Sequence, residues 1–227
     1  MSRRDLIALV VSYAYVFGVV GFGVLLARGR RGPGEFTRKV VHVGVGSWVI
    51  PTIGLFDHGW AAAIAPGTFV FVNAFSRIFR PVAAVERGAA KENLGTIYFP
   101  LSFAILLLVL WAPETRWAIA AGILPMAWGD ALASEVGRGG GRHRYRVGGQ
   151  TRSLEGSAAM FAGSFAGIAV AAVVGSYLPG GFVAPGIGPA VVALAALATV
   201  VEAVSVRGLD NLTVPLLTGA AAAWLAS

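Results

Sequence analysis

The chain of 227 residues contains no cysteine and only three histidines. The absence of cysteine excludes a disulfide framework, a thiolate nucleophile and a zinc site built from thiolates. The histidines, His42, His58 and His143, are far apart in sequence, which argues against a metal site made of imidazoles. Any metal site is therefore expected to use oxygen ligands.

Charged residues are also scarce, at 13% of the sequence, whereas hydrophobic residues make up 56% and the mean hydropathy is +0.74. Soluble domains carry about 25% charged residues. The apolar residues occur in long runs, without the alternation of a half-buried strand or the amphipathic period of a soluble helix. These features predict an integral membrane protein.

Eight apolar segments are candidates for membrane helices. They comprise residues 6–27, 40–56, 60–75, 95–111, 117–136, 156–177, 188–206 and 212–226. The last covers only about 22 Å at the helical rise of about 1.5 Å per residue, so it is expected to be tilted or only partly inserted. We predict an all-α fold, a polytopic transmembrane bundle of seven or eight helices. It forms one membrane domain, residues 1–227, in which helix 6–27 can lie outside a catalytic core at 36–227.

The basic residues lie almost entirely in the connections on one side of this predicted bundle. All of the 18 lysines and arginines except Arg3, Arg4 and Arg116 fall on that side. The net charge of +7 would suggest a nucleic-acid partner in a soluble chain. Because the charges separate apolar runs, they are instead explained by topology, and no nucleic-acid partner is expected. The positive-inside rule places that side in the cytoplasm. We expect the active site there, in the cytoplasmic (inner) membrane of a prokaryote.

Three residues with polar or charged side chains lie where a basic connection enters the second apolar segment. Arg38, Lys39 and His42 fall within an arc of about 100° on a helix. Two cations and an imidazole facing one direction suit a polyphosphate. The alternative is an interfacial anchor whose side chains contact lipid headgroups.

A second set of candidates consists of acids near the same membrane boundary. Asp130 lies inside an apolar segment, where a charge costs about 2.5 to 3.5 kcal/mol, so it is expected to face a partner, a cavity or a metal ion. An ion pair with an arginine of a neighbouring helix is the alternative. Glu202 is predicted to reach the same face. Asp210 and Asn211 precede the last helix, where an ordinary N-cap is the alternative to a role in the site.

The connection 138–157 is rich in arginine and glycine. Freed backbone amides beside arginine side chains can bind an anion. Ser153, Glu155, Gly156 and Ser157 lie where the next helix begins, and helix N-termini bind phosphates. The spacing matches neither a P-loop nor a dinucleotide fingerprint. A linker or a site for acidic lipid headgroups is the alternative interpretation.

Five motifs in chain order resemble the polyprenol kinase family of phytol, farnesol and dolichol kinases and CTP-dependent diacylglycerol kinases. They are R-K-x-x-H at 38–42, E-N-x-G-T-x-Y-F-P at 92–100, G-D-A-x-A-x-x-x-G at 129–137, S-L-E-G-S at 153–157 and E-x(7)-D-N-x-x-x-P from Glu202. The short chain is most similar to the phytol kinase branch. One departure is Arg152, at a position where many relatives have lysine.

The resemblance implies a membrane-embedded kinase that transfers a phosphoryl group from a nucleotide, usually CTP, to an isoprenoid alcohol taken from the bilayer, such as phytol, geranylgeraniol or a polyprenol. It implies that Asp130 holds Mg²⁺, with Glu155, Glu202 or Asp210 as further acids, and that Arg38, Lys39 and Arg152 bind the triphosphate. His42 or a carboxylate would accept the proton of the alcohol. Glu202 and Asn211 are also candidates for contacts with the lipid substrate or for structural roles. The nucleotide-binding candidates are Asn93, Gly137, Arg138, Arg152, Ser153, Glu155, Gly156 and Ser157.

Two other functions share some of these features. A cytidylyltransferase that makes a CDP-lipid would also need acids, magnesium and basic loops, but it would release pyrophosphate instead of CDP. A small anion transporter would place polar groups at the bilayer midplane. The polar groups of this chain are predicted to lie near one membrane face.

Overall fold

The computed structural model describes residues 1–29, 34–79, 94–179, 187–206 and 208–225. In chain order, the described helices are α1 (Arg3–Gly29), α2 (Glu35–Ser47), α3 (Val49–Leu55), α4 (Gly59–Ala62), α5 (Ile64–Phe79), α6 (Gly95–Val109), α7 (Arg116–Leu124), α8 (Asp130–Gly140), α9 (Leu154–Ser176), α10 (Ile187–Val204) and α11 (Asp210–Trp224). A π-helical turn, Pro125–Gly129, joins α7 to α8, and a hairpin of β1 (Arg144–Val147) and β2 (Gln150–Ser153) precedes α9.

Each of the eight predicted apolar segments is helical over most of its described length, which confirms the all-α membrane fold. Four helical stretches are long and apolar enough to cross a bilayer, namely Arg3–Arg28, Gly59–Ser76, Leu154–Ser176 and Ile187–Val204, and Gly95–Val109 is a shorter apolar helix. Large apolar side chains are exposed on the outside of the bundle, such as Phe71 at 77% and Val109 at 70%. Exposed apolar surface of this kind is expected where a protein faces lipid.

Three of the predicted segments are interrupted, and a proline lies beside each interruption. The second segment breaks at Trp48, before Pro51, and the third breaks at Ala63, before Pro66. In the fifth, Pro125 begins the π-helical turn. Proline has no N–H to donate to the preceding turn, so one helical hydrogen bond is lost at each of these positions.

Two groups of polar contacts lie at opposite ends of the bundle. At one end, Arg4 near the N-terminus pairs with Asp57 at 3.3 Å, and the indole of Trp111 donates to the Asp57 carbonyl at 3.1 Å. At the other end, Lys39 of α2 contacts Asp130 of α8, and Arg152 of β2 contacts Glu202 of α10. This arrangement agrees with the predicted alternation of the segments.

The centre of the bundle is a close crossing of α9 with α7, the π-helical turn and α8. A Cβ added to Gly163 of α9 would lie 2.8 Å from the Cα of Gly129, and one added to Gly167 would lie 2.7 Å from the Cβ of Leu124. Small residues allow helix backbones to approach in this way within a membrane. The crossing fixes the position of Asp130, the residue that follows Gly129.

The β-hairpin is an element that was not predicted. Its strands pair antiparallel with Arg144 opposite Ser153 and Val147 opposite Gln150, and the turn residues Gly148 and Gly149 have φ values of +56° and +79°. A two-residue turn with both φ values positive matches the right-handed twist of a hairpin and favours glycine. The glycine pair flanked by strand-compatible residues was the signal that could have revealed it.

Candidate active site

A cavity of about 520 Å³ lies at the end of the bundle where α2, α8, the hairpin, α9, α10 and α11 meet. Its volume is within the range of about 300 to 1,000 Å³ typical of ligand sites. The predicted site residues on its lining are Arg38, Lys39, Asp130, Gly137, Arg138, Arg152, Ser153, Gly156, Ser157, Glu202 and Asp210. The fold therefore brings together residues from five of its helices and from the hairpin.

Three acids form a cluster at this cavity. Asp130, Glu202 and Asp210 each offer one carboxylate oxygen, and these oxygens lie within 4.8 Å of one another. Asp130 begins α8, Glu202 lies near the end of α10, and Asp210 begins α11. Glu202 is only 4% exposed. Carboxylates at this separation repel one another, so the cluster is a favourable place for cations.

Two of the three acids are paired with cations of the chain. Lys39 forms an ion pair with the Asp130 carboxylate, and its Nζ also lies 3.5 Å from the Asp130 carbonyl oxygen. Arg152 forms an ion pair with Glu202 and donates to the Ser205 carbonyl at 3.0 Å. The predicted alternative of an ion pair for Asp130 is thus present, and its partner is a lysine.

Asp210 is the third acid, and none of the described cations forms an ion pair with it. Its Oδ1 accepts hydrogen bonds from the backbone N–H and the side-chain amide of Asn211, both at 3.0 Å. An acid with spare acceptor capacity beside two others is a donor set that suits a hard divalent cation. The residues present therefore fit a magnesium site.

The remaining cations of the cavity are paired more loosely. Arg38 contacts Glu35, and Arg138 contacts Glu135 and lies 3.8 Å from Glu35. The side chains of Arg38 and Arg138 are 58% and 45% exposed, so these ion pairs contribute little to stability. Each arginine can therefore readily bind another anion instead. Arg144 of the hairpin also lines the cavity, and its Nε donates to the Gly141 carbonyl at 3.4 Å.

The N-terminus of α9 faces the same cavity. Ser153 is its N-cap, and the Ser153 Oγ accepts the amide of Gly156 at 3.1 Å. The hydroxyls of Ser157 and Tyr145 are 2.6 Å apart, which ties the hairpin to the first turn of α9. A helix N-terminus beside arginine side chains is a favourable place for phosphate oxygens.

Glu155 does not join the acid cluster, although it was predicted as a further metal-binding acid. Its carboxylate accepts hydrogen bonds from the His143 backbone at 3.2 Å and from the His143 Nδ1 at 2.7 Å. Successive residues of a helix point about 100° apart. Glu155 is therefore turned toward the loop before the hairpin, whereas Gly156 and Ser157 face the cavity.

His42 and Asn211 are predicted candidates whose polar contacts are with neighbouring groups of the chain. His42 is not among the described residues that line the cavity; its Nε2 is 3.2 Å from the Met126 carbonyl oxygen. Asn211 is not an N-cap, because α11 begins at Asp210 and its N-cap is Leu209. The Asn211 carbonyl accepts the Ser102 hydroxyl at 2.9 Å. Asn93 lies outside the described residues.

Several lining residues were not predicted. Glu35, Arg144, Gln150 and Thr151 all face the cavity. Three of them are on the hairpin, so recognition of the glycine turn would have placed them. Glu35 lies one turn before Arg38 and Lys39, and this helical spacing was the only signal for it.

Comparison with known proteins agrees with the motifs. The chain is 37% identical over 221 residues to the phytol kinase of Synechocystis sp., a match that covers 97% of this chain and 92% of that protein. No protein-family model and no solved structure matches the chain. The similarity extends over almost the full length of both proteins. The chain therefore belongs to the polyprenol and phytol kinase family.

Proposed function

We propose that this protein is a lipid-alcohol kinase that transfers the γ-phosphoryl group of CTP to the hydroxyl of an isoprenoid alcohol such as phytol. The observation that supports it most directly is the cluster of Asp130, Glu202 and Asp210 beside Lys39 and Arg152 at one end of a membrane bundle. The family relationship supports the reaction type. The basic residues of the same end support an active site on the cytoplasmic side of a prokaryotic inner membrane.

Asp130, Glu202 and Asp210 are the residues that would hold Mg²⁺. When bound, the ion would neutralise charge on the phosphate oxygens and orient them for transfer. Glu155 is left out of this set because its carboxylate is engaged by His143.

Lys39, Arg152, Arg38 and Arg138 supply the positive charge for the triphosphate. Lys39 and Arg152 also form ion pairs with two acids of the cluster. Arginine presents a fork of donors that matches phosphate oxygens, whereas lysine acts as a compact point charge. The amides at the start of α9 add further donors.

The transfer forms a bond between the alcohol oxygen and the γ-phosphorus and breaks the bond from the γ-phosphorus to the β–γ bridging oxygen. CDP leaves with that oxygen. The hydroxyl proton passes to a carboxylate oxygen of the cluster, and Asp210 is our candidate because none of the described cations pairs with it. A loose transition state places little demand on this base.

The alcohol is expected to reach the cavity from the bilayer. On α8, Ala133 and Gly137 line the cavity, whereas the neighbouring Leu132 and Val136 are 47% and 39% exposed. Leu154 at the start of α9 is 60% exposed. Exposed apolar side chains thus lie next to lining residues along the chain, and a long-chain alcohol can place its tail in lipid and its hydroxyl at the acids.

The test is a transfer assay with purified protein in lipid nanodiscs. γ-Labelled CTP, ATP, GTP and UTP are each paired with phytol, farnesol, geranylgeraniol, a long polyprenol and diacylglycerol. We expect a labelled alcohol monophosphate and release of CDP. Release of pyrophosphate with formation of a CDP-lipid would identify a cytidylyltransferase, and the absence of any transfer would refute the proposal.

Variants locate the chemistry within the cavity. Asp130→Asn and Glu202→Gln should lower kcat about 100-fold or more, since loss of several kcal/mol of charge stabilisation has this effect. Glu135→Gln is the matched control, because Glu135 lies on α8 near Asp130, pairs with Arg138 and is outside the acid cluster. Equal activity of Asp130→Asn and Glu135→Gln would contradict the assignment.

A further inference from the structure

The π-helical turn Pro125–Gly129 changes the hydrogen bonding just before Asp130. The Asp130 amide donates to the carbonyl of Pro125, five residues earlier. In an α-helix the same amide would donate to Met126, four residues earlier. The Met126 carbonyl therefore lacks its α-helical donor. One extra residue in the helix also rotates every following side chain by about 100° relative to an uninterrupted α-helix.

One face of α2 contacts this turn and the residue that follows it at three positions. Lys39 pairs with Asp130, the His42 Nε2 lies 3.2 Å from the Met126 carbonyl oxygen, and a Cβ on Gly46 would overlap the Cβ of Ala127. Positions 39, 42 and 46 share a helical face, because residues three, four and seven apart lie on one side of an α-helix. The R-K-x-x-H spacing therefore places the lysine and the histidine on the same turn of the neighbouring segment.

The chemistry of the contact between His42 and Met126 determines which atom is the hydrogen-bond donor. A carbonyl oxygen can only accept, so the Nε2 that faces Met126 must carry the proton and donate it. The imidazole packs against Phe99 with ring centroids 4.3 Å apart. A nitrogen engaged in this way cannot accept the proton of an alcohol, and His42 is not among the described residues lining the cavity.

We propose that His42 is a positioning residue that donates to the carbonyl released by the π-helical turn and so holds Asp130 beside Glu202 and Asp210. Without this donor, the junction can return to α-helical hydrogen bonding, in which the Asp130 amide bonds Met126. The Asp130 carboxylate would then turn away from the other two acids. The role rests on the proposed function in that the cluster binds a divalent cation.

The experiment measures Mn²⁺ binding by electron paramagnetic resonance in wild-type protein and two variants in detergent. His42→Gln retains an N–H donor at a similar distance from the backbone, whereas His42→Met has similar length and no donor. We expect His42→Met to weaken Mn²⁺ binding about 10-fold or more, as loss of a group that orients a metal ligand does. His42→Gln should stay near wild type in Mn²⁺ affinity and in the pH dependence of kcat/KM for CTP.

The outcomes separate the two proposals. Equal Mn²⁺ affinity in all three proteins overturns the positioning role, as does an equal loss in His42→Gln and His42→Met. Normal Mn²⁺ affinity in His42→Gln together with a lost limb of the pH profile overturns it in favour of a proton-accepting histidine. Wild-type protein that binds Mn²⁺ but phosphorylates none of the alcohols refutes the kinase alone. Wild-type protein that binds no Mn²⁺ overturns the positioning role, whereas the kinase is judged by the transfer assay.

Discussion

The ion pair of Arg152 and Glu202 offers a quantitative test of how the cavity is held together. The two side chains are 16% and 5% exposed, so both charges are largely shielded from water. Arg152→Met removes the cation and leaves the Glu202 carboxylate and the Ser205 carbonyl without this donor. Removing one partner of a buried pair destabilises a protein by about 3 to 5 kcal/mol.

We expect the lower end of that range, because the pair borders a cavity that water can enter. A loss of about 3 kcal/mol corresponds to a change of more than about 100-fold in the unfolding equilibrium. The measurement is unfolding in mixed detergent and dodecyl sulfate micelles, followed by circular dichroism. Arg138→Met is the matched control, because the ion pair of Arg138 with Glu135 is exposed to solvent. This variant should change the free energy of unfolding by less than about 1 kcal/mol.

A double-mutant cycle isolates the pair. Arg152→Met combined with Glu202→Gln should be less destabilised than the sum of the single variants by at least about 1 kcal/mol. Millimolar Mg²⁺ should restore part of the stability of Arg152→Met, because a divalent cation can replace the missing charge at Glu202. A single variant within about 1 kcal/mol of wild type, or a fully additive double variant, would refute the reasoning.

Three further predictions concern the fold around the site. Gly163→Ala should lower the free energy of unfolding by about 1 to 3 kcal/mol, because its Cβ would lie 2.8 Å from the Gly129 backbone. Gly18→Ala is the control and should not destabilise the protein, because a Cβ there has no atom within 4 Å. Both are measured in the same micelle titration, and equal values would contradict the close crossing. Asp5→Asn should destabilise by about 2 kcal/mol while the KM for CTP stays unchanged, since this fully buried acid accepts three backbone amides at the end opposite the cavity; a raised KM would link the two ends. Gly148→Val should raise the KM for CTP more than it lowers kcat, because its φ of +56° suits glycine and the hairpin carries cavity residues; a kinetic profile like wild type would show that the hairpin does not bind the nucleotide.

The sequence by itself determined the membrane class, the helical segments and the end of the bundle that carries the charged groups. A bilayer requires apolar segments whose backbone groups are satisfied internally, so long apolar runs have one structural solution. The helical period also determined that Lys39 and His42 share a face of α2. The five motifs indicated the family, because each has specific residue types at a defined spacing and the five occur in a defined order.

Only the tertiary structure decided which acids meet. Glu155 is closer to Asp130 in sequence than Glu202 and Asp210 are, yet it binds His143 while the other two complete the cluster. The outcome depends on how α9, α10 and α11 are rotated against α8, which is a matter of packing between distant segments.

The register of Asp130 was likewise a tertiary property. The π-helical turn lies where α9 approaches Gly129 closely and where His42 reaches the Met126 carbonyl, and the G-D-A motif alone reveals neither contact. A helix with a proline can resolve its lost hydrogen bond in more than one way. Packing against neighbouring helices determines which hydrogen-bonding pattern forms, and in this pattern Asp130 lines the cavity.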